Sequence, residues 1–223
     1  MSRVANPQLR TFADVLDRLG GISPDRVRFD LKPGRATVRD LIHLHDREYK
    51  LYELVEGFLV EKIIGSTESY VAIELGRQVG NYLELNDIGF LLGADGTLRI
   101  MPHLVRIPGM SFVSWSKCPS RMIPHDPVPE LCPDLAVEVL SRTETRREMA
   151  RKLREYFESG VRLVWFIDPD ARTAAVFTSP VEREVLTESQ SLDGKDVLPG
   201  FKLHLKRLFA RLANGHGQRR RRS

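Results

Sequence analysis

The segment Pro133-Asp134-Leu135-Ala136-Val137-Glu138-Val139-Leu140-Ser141 sets a carboxylate inside an almost unbroken apolar run. A run of that length reads as a buried strand. A carboxylate there is costly unless it is paired, hydrogen-bonded or holding a cation. Side chains alternate across a strand, so Asp134, Ala136, Glu138 and Leu140 fall on one face and both acids can point the same way. Two readings stand at this point. Glu138 ion-pairs with a nearby arginine, as buried acids often do, or it is the principal ligand of a cation site.

The helix expected next, over residues 143–159, offers a partner. At about 100° per residue, Met149, Leu153 and Tyr156 form its inward stripe and Phe157 widens it. Lys152 lies within roughly 60° of that stripe, whereas Arg147, Arg151 and Arg154 are expected to face solvent. A lysine on the inner flank of a helix, directly after a strand carrying a buried glutamate, is a plausible catalytic neighbour. The bland alternative is snorkelling, with the stem packed and the ammonium in water.

Other chemistry is weaker. His103, Cys118, His125 and Cys132 are zinc-ligand types, but their spacing lacks the tight Cys-x₂₋₄-Cys knuckle. His43 and His45 do not share a helical face, and Asp168 before Pro169 reads as a turn residue. Arg219, Arg220, Arg221 and Arg222 near the C-terminus could hold a nucleic-acid backbone through charge alone, or form a solvated end. There is no Walker-type loop, no dinucleotide fingerprint and no Gly-x-Ser-x-Gly elbow. Kinase, dehydrogenase and hydrolase-fold readings lose their main support.

The elements that must position these residues follow from periodicity and punctuation. A short helix over residues 9–19 stops at Gly20-Gly21, and Thr37 to Asp40 reads as an acidic capping box opening a helix over 38–45. Two apolar runs flank Glu56-Gly57 as a hairpin. Ser66 is placed to cap a helix carrying Val71, Leu75, Val79, Tyr82 and Leu83, ended by Asn86 and Gly89. Strands are expected over 90–92, 98–100, 104–107 and 110–115. A loop with five prolines over 119–133 follows, then a strand over 135–140. After the 143–159 helix come a strand over 161–167, a hairpin of 174–178 with 183–187, and a last helix over 203–212. Strand-helix-strand flanked by hairpins argues for an α/β fold with a mixed sheet. The expected organisation is an N-terminal extension over 1–36, one domain over 37–212, and a basic, disordered tail over 213–223.

Composition agrees with one sizeable core: 42% hydrophobic and 29% charged in 223 residues. The net charge of +4 resides largely in the four arginines near the C-terminus, so a polyanion partner is permitted rather than required. Two cysteines are too few for a disulfide framework. No apolar run approaches a membrane span and no signal-peptide core is present, so the expected compartment is the cytoplasm.

An ordered set of segments carries a resemblance. Tyr52-Glu53-Leu54-Val55-Glu56-Gly57 comes first, then Val105-Arg106-Ile107-Pro108 with Ser111-Phe112-Val113, then Pro133 to Ser141, then Lys152 with Tyr156. Gly160 to Pro169 and Leu198-Pro199-Gly200-Phe201 follow. Together they resemble the Uma-type restriction endonuclease family of the PD-(D/E)XK nuclease superfamily. The resemblance implies a restriction-endonuclease-like mixed sheet flanked by helices, with carboxylates and a lysine around Mg²⁺ (or Mn²⁺) to hydrolyse DNA phosphodiester bonds. It assigns Glu53 as an outlying acid, Glu138 as the principal metal ligand, and Lys152 as the residue that orients the attacking water or steadies the developing charge. Cutting both strands would call for a homodimer. The family's Pro-Asp ahead of Ser111 reads Pro108-Gly109 here, and glycine offers no side-chain oxygen as a ligand. Either Asp134 supplies the metal ligand from the neighbouring strand, or the chain is a catalytically inactive nuclease fold that binds nucleic acid or a protein partner.

Overall fold

A computed structural model describes residues 11–31 and 33–212. Its frame is a six-stranded mixed sheet in the order β10-β9-β8-β7-β6-β3. The strands are β3 (Gly89–Leu92), β6 (Met110–Ser114), β7 (Leu135–Val139), β8 (Leu163–Asp168), β9 (Thr173–Phe177) and β10 (Arg183–Leu186). Only β7 and β8 run parallel, and the crossover between them is helix α4 (Arg146–Ser159). Both are buried along most of their length, which is why they read as continuous apolar runs.

A second, antiparallel sheet, β2-β1-β5-β4, lies beyond α4. It contains β1 (Tyr52–Val55), β2 (Phe58–Glu61), β4 (Leu98–Met101) and β5 (Leu104–Arg106). Glu56 and Gly57 both have positive φ, the backbone that a two-residue hairpin turn requires. Helix α2 (Val38–Glu48) covers the outer face of this sheet through Leu41, Leu44, Tyr52, Leu54 and Val105. The capping box at its start is present, Thr37 and Asp40 each bonding the other's backbone N–H.

Alternation then dictates the inner face. With Tyr52 and Leu54 turned to α2, Glu53 and Val55 turn towards α4, and Arg106 follows suit on β5. On the far side of the large sheet, α3 (Ser66–Leu85), the short α5 (Leu205–Phe209) and the hairpin β11 (Ser191–Asp193) with β12 (Lys202–His204) bury Val137, Val139, Trp165 and Ile167. Ala136 and Leu140 belong to the α4 side, so Glu138 between them faces α4.

The structure departs from the sequence expectations in several places. Ser66 is the first residue of α3 and makes no side-chain cap; Gly65 is the N-cap. The last helix is shorter than expected, because residues 202–204 pair as β12 with Leu203 opposite Leu192. Arg151 does not face solvent: its guanidinium bonds Glu155, Glu56 and the carbonyl of Arg18. The segment before residue 37 packs on the domain. Helix α1 (Phe12–Arg18) contributes Val15 to the core, and Leu19, Ile22 and Val27 join it there. Arg26 makes a buried two-bond contact with Glu148 of α4, at 2.8 and 2.9 Å.

Candidate active site

Glu53, Glu138 and Lys152 come from three different elements and meet in the layer between the two sheets. All three are fully buried. Lys152 Nζ stands 3.2 Å from Glu138 Oε1, 3.4 Å from Glu53 Oε1 and 3.6 Å from Glu144 Oε1. Its position follows from the helix: Met149, Leu153 and Tyr156 pack into the core and carry the lysine inward with them.

The carboxylates are satisfied from within the chain. Glu138 Oε1 also accepts from the Tyr156 hydroxyl at 2.6 Å, and its Oε2 accepts from Lys62 Nζ at 2.8 Å. Glu53 takes Arg106 Nη1 at 2.6 Å on one oxygen and the backbone N–H of Ile107 at 3.1 Å on the other. Arg106 in turn donates through Nε to Glu155 at 3.0 Å. Glu144, in the turn before α4, accepts from the backbone N–H of Ser141 at 3.1 Å and has Lys62 at 4.0 Å.

These neighbours shift the acid–base equilibria of the centre. Burial alone would raise the Glu138 carboxyl, but Lys152 and Lys62 together outweigh it and hold it below the usual range. Glu53 is lowered in the same way, with Lys152 and Arg106 overcoming burial. Burial would lower the Lys152 ammonium; Glu138, Glu53 and Glu144 reverse that and raise it. Glu144 differs: its burial prevails over Lys152 and Lys62, and its carboxyl is raised. Burial, then the Glu138 charge, push the Tyr156 phenol up.

Asp134 is not among the residues gathered around Lys152. It precedes β7 at the opposite end from Glu138, where it accepts from Ser114 N at 2.8 Å and Arg162 Nε at 3.1 Å, with Lys117 Nζ at 3.3 Å. Burial raises its carboxyl, and these donors more than compensate. Arg219 to Arg222 lie outside the described residues. Lys62 and Glu144 escaped the sequence reading. The only signals were their places, one directly after the second strand of a hairpin and one three residues after Ser141 ahead of a helix.

A divalent cation was tested against this donor set. Mg²⁺ and Mn²⁺ need several oxygens converging on one point. In this layer the points that two or three carboxylates approach are already cationic: Lys152 Nζ, the Arg106 guanidinium between Glu53 and Glu155, and the Lys62 ammonium between Glu138 and Glu144. Gly109 lines the cavity beside it, with Lys62, Val139 and Glu144; at about 20 Å³ it has room for one water. Glycine adds no side-chain oxygen there. The residues as arranged do not fit a divalent cation.

Comparison with known proteins gives a consistent picture of the fold. The Uma2 family, described as "Putative restriction endonuclease", matches residues 38–206, well over half of the chain. Among solved structures, a "putative nuclease belonging to DUF820" from Anabaena variabilis is similar, with a TM-score of 0.63 at 19% identity. The likeness covers 72% of this chain and 90% of that one. A search of curated proteins found no match.

Proposed function

The chain belongs to the Uma2 "Putative restriction endonuclease" family, and from that membership together with the geometry of its carboxylate cluster we propose that it is a nuclease-fold protein that holds DNA without cutting it. The observation that carries this reading is the state of Glu138. Both of its oxygens are engaged by Lys152, Tyr156 and Lys62, and the neighbouring position that would add a ligand is Gly109.

A surface for DNA is on hand. The groove between the start of α2 and the β1–β2 turn, about 950 Å³, is lined by Arg18, Arg35, Arg39, Arg99 and His103, with Glu56 as the acid among them. Arg35 and Arg39 are exposed and form no ion pair with any described residue. Guanidinium groups so placed suit phosphate oxygens, contributing affinity without sequence choice.

A second reading, a Mg²⁺- or Mn²⁺-dependent endonuclease acting as a homodimer, is favoured by the convergence of Glu53, Glu138 and Lys152. Binding is tested by fluorescence anisotropy of a labelled DNA duplex at several salt concentrations in EDTA. The expected result is affinity that falls with salt, and a log–log slope that shrinks by about 2 in the Arg35→Ala/Arg39→Ala double variant. Absence of salt-dependent binding would remove the DNA-holding reading.

A further inference from the structure

We propose that Lys62 supplies, from within the chain, the positive charge that a divalent cation would bring, so that this carboxylate centre is complete without metal. The inference rests on the reading of the centre as non-cleaving, and its test is made without DNA, so the two fail separately.

Place is the first argument. Lys62 lies just past β2, and its ammonium sits 2.8 Å from Glu138 Oε2 and 4.0 Å from Glu144 Oε1, the bridging position between two carboxylates. The side chain is only 8% exposed. An ammonium so withdrawn from water is stable only against anions.

Charge is the second. With their carboxyls ionised, Glu53, Glu138 and Glu144 face Lys62, Lys152 and Arg106, and Glu155, which shares Arg106, is matched by Arg151, so the centre is already balanced. A dication added to it would leave two positive charges in a buried site. Removing Lys62 takes away one positive charge, and an aspartate at position 109 would add one negative charge. Those two changes together leave the deficit that one divalent cation fills. Neither alone does.

Space is the third. Gly109 borders the same small cavity as Lys62 and Glu144. A Cβ at position 109 would lie 3.3 Å from Val137 O and 3.5 Å from Val139 Cγ2, so the β7 backbone must give slightly to admit it. Gly109 is not among the residues with positive φ, so its backbone admits an L side chain.

The test is Mn²⁺ binding, read from the electron paramagnetic resonance of the free ion, beside thermal melting with and without Mn²⁺. It uses the full chain as wild type, Gly109→Asp and Lys62→Met/Gly109→Asp. The expected result is no saturable binding and no shift in Tm for the first two. The double variant should bind one Mn²⁺ per chain saturably, with a Tm that rises in Mn²⁺. Saturable Mn²⁺ binding by the wild type that Glu138→Gln abolishes would overturn the proposal. So would a double variant that binds no Mn²⁺, folded or not.

Discussion

Around Glu138, a tyrosine and two lysines donate to one carboxylate that no water reaches. Such a cluster ties stability to pH. The Glu138 and Glu53 carboxyls are held below their ordinary range in the fold, so below about pH 4.5 the unfolded chain binds more protons than the folded one. Their contribution is therefore complete above that pH and is lost as the pH falls through the lowered folded values. Glu144, raised in the fold, acts in the opposite sense: what it contributes is present at low pH and is lost as the pH rises through its folded value. Asp134, held low by Ser114, Lys117 and Arg162, acts in the same sense as Glu138 and Glu53, and the protein should lose stability in acid. Urea unfolding between about pH 3 and pH 6 measures this, and Glu138→Gln should flatten the slope relative to wild type. An unchanged slope in the variant would mean that Glu138 is not ionised in the fold.

Helix α4 is the element on which the centre depends. It provides Lys152 and Tyr156 to Glu138, Glu155 to Arg106, and Glu148 to Arg26. The contact with Arg26 binds the segment before residue 37 to the domain through a buried pair whose side chains are 3% and 4% exposed. Arg26→Met would leave Glu148 buried without its partner. The expected loss is about 3–5 kcal/mol of unfolding free energy, measurable by urea denaturation; a loss under about 1 kcal/mol would mean that the segment is held by its apolar contacts alone. From sequence, α4 and the parallel strands around it were legible because their apolar periods are long and their ends are punctuated by Gly160 and Asp168-Pro169. Glu138 and Lys152 were legible as candidates because each interrupts an apolar pattern; Glu53 was reached only through the family resemblance. Lys62 and Glu144 interrupt nothing. They stand in short connections, and only the tertiary arrangement brings them within 4.0 Å of each other. Asp134 shared the period of Glu138, but period says nothing about distance along the strand, and the two stand four positions apart. The pairing of β11 with β12 was hidden because Leu203, Leu205, Leu208 and Phe209 fit a helical stripe as well as they fit a strand that turns into a helix.

Taken whole, the molecule pairs a nuclease-family fold with a centre whose charges are already matched. Among the described residues no helix is long and apolar enough to cross a membrane. Arg35 and Arg39 line the groove at the start of α2, the helix that covers the face of the β1–β5 sheet opposite Glu53. DNA held there would not need to enter the carboxylate layer, which fits a protein that binds without cleaving. The most direct measurement is conversion of supercoiled plasmid by the purified wild-type protein in Mg²⁺ or Mn²⁺, beside Glu138→Ala. The account predicts that the plasmid stays supercoiled with both proteins. Nicking by the wild type that disappears in Glu138→Ala would contradict it and establish a working nuclease despite Gly109.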